Sequence, residues 1–135
     1  MRVAFATHDM KRVDAHFASA KAMAIYEVSP DAHSFVEAVQ FDNVTEEDGN
    51  HDESVDRLTT KIDALEGCNL LFVLAIGGPA AARVVNRRIH PVKITAPEPI
   101  ADVIGRLQTM LNGTPPPWMR KILNQGKTTN FEDED

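Results

Sequence analysis

Arg2-Val3-Ala4-Phe5-Ala6-Thr7 and Ala22-Met23-Ala24-Ile25-Tyr26-Glu27-Val28 bracket a polar connection near the start of the chain. Both runs are short, apolar and rich in β-formers, so each predicts a strand. The 14 residues from Thr7 to Ala20 are long for a hairpin turn. Connections of that length inside compact domains tend to carry function. This one holds His8 and His16, two of the five histidines, with two acids and two bases. The working end of the molecule is expected here.

Working outward, Ser29-Pro30-Asp31-Ala32 reads as a turn, and Ser34 to Phe41 alternates loosely as a third strand, giving an antiparallel meander. The acid-rich segment Asp42 to His51 ends in a Gly49-Asn50 breaker. A helix is predicted over Asp52–Leu65, where Val55, Leu58, Ile62 and Leu65 share a face and Gly67 can end it. Asn69 to Ile76 is continuously apolar, as a strand covered on both faces should be. Gly77-Gly78-Pro79 breaks that run and starts a helix through about Arg88. His90 to Thr95 is a short strand, and Pro99 opens a helix whose stripe is Ile100, Val103, Ile104, Leu107, Met110 and Leu111. Pro115 to Pro117 form a stiff spacer before a small helix bearing Trp118, Met119, Ile122 and Leu123.

The predicted order is β-β-β-α-β-α-β-α. It implies an α/β fold with a mixed five-stranded sheet flanked by helices, of the ribonuclease-H-like type. Residues 1–112 are read as one domain, 113–125 as spacer and short helix, and 126–135 as a disordered acidic tail.

Composition bounds the function. No apolar run approaches the roughly 20 residues of a membrane span, and the chain enters a strand without a hydrophobic leader, so a cytoplasmic protein is expected. The single cysteine, Cys68, excludes an intrachain disulfide and an all-cysteine cluster or zinc site within one chain. The net charge of −6 argues against nucleic acid. Without residues 126–135, which hold four acids and one base, 16 acids face 13 bases and the body is nearly neutral. Strand one contains no carboxylate and strand four ends in Ala-Ile-Gly-Gly, so a metal-dependent nuclease is excluded on pattern. Neither a serine elbow nor a Gly-Lys-Ser/Thr phosphate loop is present. No enzyme is indicated.

The order of elements also sorts the residues between the two ends of the sheet. One edge collects the loop with His8 and His16, the acidic loop ending at His51, the Gly77-Gly78 turn and Thr95; Cys68 and His90 begin strands and fall at the other. Ligands of such sheets bind beyond the carboxyl ends of the parallel strands, which is the first edge. Gly77-Gly78 before a helix resembles an anion cradle that Arg83 and Arg87 can extend, or a plain tight turn with a solvated arginine face. His16, beside Phe17, is the foremost candidate metal ligand, with Asp14 or Asp9 to orient its ring; a structural or merely exposed loop histidine is the alternative. His8 and His51 are further candidates. Cys68 reads as a small buried hydrophobe.

Arg2-Val-Ala-Phe-Ala-Thr, Val13-Asp-Ala-His16-Phe17 and Ala24-Ile-Tyr-Glu-Val28 together resemble the opening of the nitrogenase iron–molybdenum cofactor biosynthesis proteins. Leu65-Glu-Gly-Cys68 before an apolar strand, a small-residue turn and then His90-Pro-Val-Lys93 is similar to the NifX branch. The likeness spans about residues 1–112. It implies the ribonuclease-H-like fold and a small carrier that binds the iron–sulfur precursor cluster made by NifB and passes it to the NifEN scaffold. Relatives usually carry His-Phe-Gly where this chain has His16-Phe17-Ala18, and further cysteines where it has Leu74-Ala75-Ile76. On that implication His16 is the main ligand, supported by Gly77, Gly78 and Arg83, with His8 and His51 in reserve. The alternative is a regulatory or docking module that works through Trp118 and the acidic tail and holds no cluster.

Overall fold

The computed structural model describes residues 1–41 and 58–123. The acidic loop with His51, the first turns of the helix expected from Asp52, and the tail therefore lie outside the described residues. Those described form β1 (Arg2–Thr7), β2 (Arg12–Val13), β3 (Ala22–Ser29), β4 (Ala32–Gln40), a helical segment α1 (58–63) and β5 (Leu70–Val73). They continue as α2 (Gly78–Asn86), β6 (His90–Lys93), β7 (Glu98–Pro99), α3 (Ile100–Asn112) and a last helical segment α4 (117–123).

A five-stranded mixed sheet in the order β4-β3-β1-β5-β6 forms the centre. β3 runs antiparallel to β1 and β4, whereas β5 and β6 are parallel to β1. The meander and the two helix-linked strands expected above are thus observed. Alternation along β1 shows why it is apolar on both sides. Ala4 and Ala6 face Ile62, Leu65 and Val84 from the α1 and α2 side. Val3 and Phe5 face Ile104 and Leu107 of α3 and Met119 of α4. On that second face four rings cross four strands: Phe72 stacks on Phe5, and Phe5–Tyr26 and Tyr26–Phe35 meet edge to face.

Several boundaries differ from the periodicity reading. β5 stops at Val73, three residues short of the apolar run, because Leu74 and Ala75 pair with the incoming loop rather than with β6. β4 begins at Ala32 and carries a register irregularity opposite Ile25 and Tyr26. Pro99 is the N-cap of α3 rather than its first residue. The long loop is not unpaired throughout: Arg12 and Val13 pair with Pro99 and Glu98 as a two-stranded ribbon, and the Ile100 amide donates to the Lys11 carbonyl at 2.9 Å. Two-residue strands are too short to show a period. α2 ends as the sequence does not announce, with Arg88 in the left-handed region at φ 66°. The Arg88 amide bonds the Val85 carbonyl, the Ile89 amide bonds the Val84 carbonyl, and Val84 and Ile89 are both buried, which together form a Schellman stop. Among the described residues no helix is long and apolar enough to cross a membrane.

Candidate functional site

The loop after β1 is built by its own carboxylates. Asp9 accepts from the amides of Lys11 and Arg12, both at 2.9 Å, and from the Arg12 guanidinium. Those donors, the backbone amides foremost, hold its carboxyl down at about 2. Asp14 accepts from the His8 amide at 2.8 Å and lies 3.7 Å from Arg12. Met10 turns the loop with φ 65°. Both acids are therefore engaged in shaping the loop.

Beyond Asp14 the chain straightens and lies along the end of β5. The Leu74 amide donates to the Ala15 carbonyl at 3.0 Å, the Phe17 amide donates to the Ala75 carbonyl at 2.8 Å, and His16 stands opposite Ala75 in a parallel bridge. Side chains of an extended segment alternate. Ala15 and Phe17 are sunk in the core, at 0% and 1% exposure, so the imidazole between them is turned outward. Lys61, itself buried, reaches from α1 to donate to the carbonyls of Phe17 and Ala18. The exposure of His16 is thus fixed by what its neighbours bury.

Two residues past Ala75 comes the start of α2. Gly77 is its N-cap with extended backbone and brings no capping side chain, proline stands in the first turn, and no acid occupies that turn. A Cβ on Gly77 or Gly78 would meet nothing within 4 Å, and neither glycine has positive φ. Neither backbone conformation nor packing demands glycine here; what its absence of side chain provides is open access to amides at the positive end of a helix. His16, Gly77 and Gly78 are all exposed at this carboxyl edge of β1 and β5. His8 is exposed on the same loop.

Arg83 and Arg87 are tied to α1 and the turn after it. Arg83 donates to the Thr59 hydroxyl at 3.0 Å, and Arg87 pairs with Asp63 at 2.7 Å and Glu66 at 3.6 Å. Arg83 therefore stands in the second turn of α2 with a partner of its own. Cys68 is buried at the opposite edge, and burial raises its thiol to about 11, so it is a protonated core side chain. His90, also at that edge, stacks flush on Trp118 with ring centres 4.8 Å apart. Burial lowers its pKa and keeps the imidazole neutral. Lys61 and the His90–Trp118 pair escape a sequence reading: Lys61 looks like any helix-surface base, and nothing local joins residue 90 to residue 118.

Among the described residues no three His, Cys, Asp or Glu side chains converge on a point. The described residues form a small α/β domain whose carboxyl edge exposes the imidazoles of His8 and His16 near a glycine-fronted helix start. Residues 1–110 match the family described as dinitrogenase iron-molybdenum cofactor, and the chain belongs to that family. It is 55% identical to Protein NifX of Sinorhizobium fredii over 139 aligned positions, spanning all of this chain and 87% of that protein. It is 49% identical to Protein NifX of Rhodobacter capsulatus with the same coverage. The crystal structure of PH0822 superposes with a TM-score of 0.61 at 22% identity, covering 81% of this chain and 89% of that one, which bears on the fold. Membership places the chain in iron–molybdenum cofactor biosynthesis for nitrogen fixation.

Proposed function

We propose that this chain is a non-enzymatic carrier that binds the iron–sulfur precursor of the nitrogenase iron–molybdenum cofactor as cargo and hands it on during assembly. One observation carries the reading: His16 bridges to Ala75, two residues before the amides of the Gly77-Gly78 turn, on one exposed edge. A neutral imidazole supplies one direct bond to iron, and the helix start offers hydrogen bonds and positive field to the sulfides of an anionic cluster. Few direct ligands suit a protein that has to release what it holds. His8, exposed on the same loop, is proposed to assist; Arg83 contributes through its charge on α2, and His51 belongs to the proposed set by sequence alone.

The source and recipient that fit this role are a NifB-type cluster maker and a NifEN-type scaffold, all in the cytoplasm. The strand order β4-β3-β1-β5-β6, with the second strand of the meander reversed, supports a ribonuclease-H-like assignment for the domain of residues 1–112. Residues 113–125 then serve as spacer and short helix, and 126–135 as an acidic tail. The test is an anaerobic titration of the apo-protein with the NifB-derived cluster, following iron per chain and visible absorption. Stoichiometric binding that survives gel filtration, and falls at least about tenfold in His16→Ala, is the expected result. Equal affinity of the folded variant removes His16, and no binding by the folded parent protein removes the carrier function.

A further inference from the structure

Two clefts of about 310 and 290 Å³ open along the outer side of β6, and Trp118 lines both. The first has a floor of Phe72, Val92, Ile94 and Met110 under Lys93; the second is formed by Val85, Ile89 and Ile122 with Arg88 and Lys121. We propose that these clefts form one groove that docks an acidic, extended segment of a partner protein, with an apolar side chain of that segment seated against Trp118. The proposal does not depend on the cluster reading.

Charge selects the occupant. Arg88, Lys93 and Lys121 line the groove and make no ion pair among the described residues. The one acid in the lining, Glu98, is held by both guanidinium nitrogens of Arg106 and is neutralised. A chain of net charge −6 thus presents here a groove whose three cations pair with no acid among the described residues. His90 adds no charge, since it is neutral and flat against the indole, holding Trp118 between the two clefts. Apolar surface waits beside the cations: Val85 is 55% exposed. Tryptophan and arginine, here Trp118 and Arg88, are among the residue types that dominate binding energy at protein interfaces.

The backbone points to side-chain recognition rather than strand addition. Pro91 sits within β6 and has no amide to donate to an added strand. Arg88 gives independent support. It occupies a left-handed position, φ 66°, that glycine takes without steric strain, so this chain sets a long cation at the groove against the local backbone preference.

Trp118 is the chain's single tryptophan, so its fluorescence reports the groove directly. The probe is a blocked heptapeptide Asp-Glu-Leu-Asp-Leu-Glu-Asp, compared with the same peptide bearing Lys for every acid. The acidic peptide is expected to change Trp118 emission saturably and the basic one not to. Arg88→Gly, which removes the cation and relaxes the backbone, and Lys121→Glu should each weaken binding about fivefold. Equal binding of the two peptides, or affinity unchanged in the folded Arg88→Gly and Lys121→Glu proteins, overturns the proposal. So does a peptide-independent dimer by sedimentation that buries Trp118, which would make a second copy the occupant. A chain lacking residues 124–135 that binds the peptide more than about tenfold tighter would assign the groove to its own terminus and equally overturn a separate partner.

Discussion

Lys61→Met removes the ammonium that bonds the site loop and also lies 5.3 Å from the centre of the Phe41 ring. The ammonium is buried at 3% exposure and donates to the Phe17 carbonyl at 3.4 Å and, much more closely, to the Ala18 carbonyl. Hydrogen bonds from a charged donor contribute about 1.5–3 kcal/mol each. The close bond is taken at about 2 kcal/mol and the long one at about 1, and methionine keeps the buried stem while losing both. Relief of ammonium burial offsets part of this, and the two carbonyls left without the donor add part back. The net loss expected is about 2–4 kcal/mol, a large share of the 5–15 kcal/mol typical of a domain. Equilibrium urea unfolding should show a lower midpoint with unchanged slope, since the surface exposed on unfolding is the same. Nuclear magnetic resonance of the variant should show loss of exchange protection at the Phe17 amide, which bonds Ala75 beside His16. A variant within about 0.5 kcal/mol of the parent, with that amide still protected, refutes the idea that Lys61 positions the loop.

Arg88→Gly should raise stability by about 1 kcal/mol, because glycine takes φ 66° without the Cβ clash an arginine bears; calorimetry that shows a lower Tm contradicts this. Cys68 should resist thiol reagents in the native protein and react only on unfolding; its thiol is protonated in both states below the ordinary value of 9.0, ionises first in the unfolded chain, and stays protonated in the fold up to about 11. Stability should therefore fall as pH rises between those values, by up to roughly 3 kcal/mol, and a flat profile from pH 9 to 11 would sink the assignment. Asp9 runs the other way: with a carboxyl held at about 2, its contribution is present above 3.8 and is lost as pH falls through 2, and carbon-13 titration giving an ordinary midpoint would deny its amide bonds.

What was legible in the sequence was local. Val3 to Thr7, the Asn69–Val73 run and the Ile100–Leu111 stripe each carry a period or a continuous apolar stretch that names the element, because burial on one face or two imposes it residue by residue. Their order fixed which strands run together, and that alone placed the His16 loop and the Gly77-Gly78 turn on one edge, as observed. The opening motif around His16 and the His90-Pro-Val-Lys93 segment sufficed to indicate the family that the comparison with known proteins then established.

Tertiary structure decided everything that depends on two distant segments meeting. The ribbon between Arg12–Val13 and Glu98–Pro99 spans too few residues to leave a pattern, and it exists because the chain elsewhere brings the two pairs together. The apolar run past Val73 was spent on pairing with Ala15–Phe17, a choice set by the neighbouring strand rather than by the side chains of the run. Arg83 and Arg87 turned to Thr59, Asp63 and Glu66 because α2 packs beside α1. Trp118 came to rest on His90 for the same kind of reason. Periodicity records which face of an element is buried, but not against which partner; the partner is chosen by the free energy of the whole packing, which no single window of sequence contains.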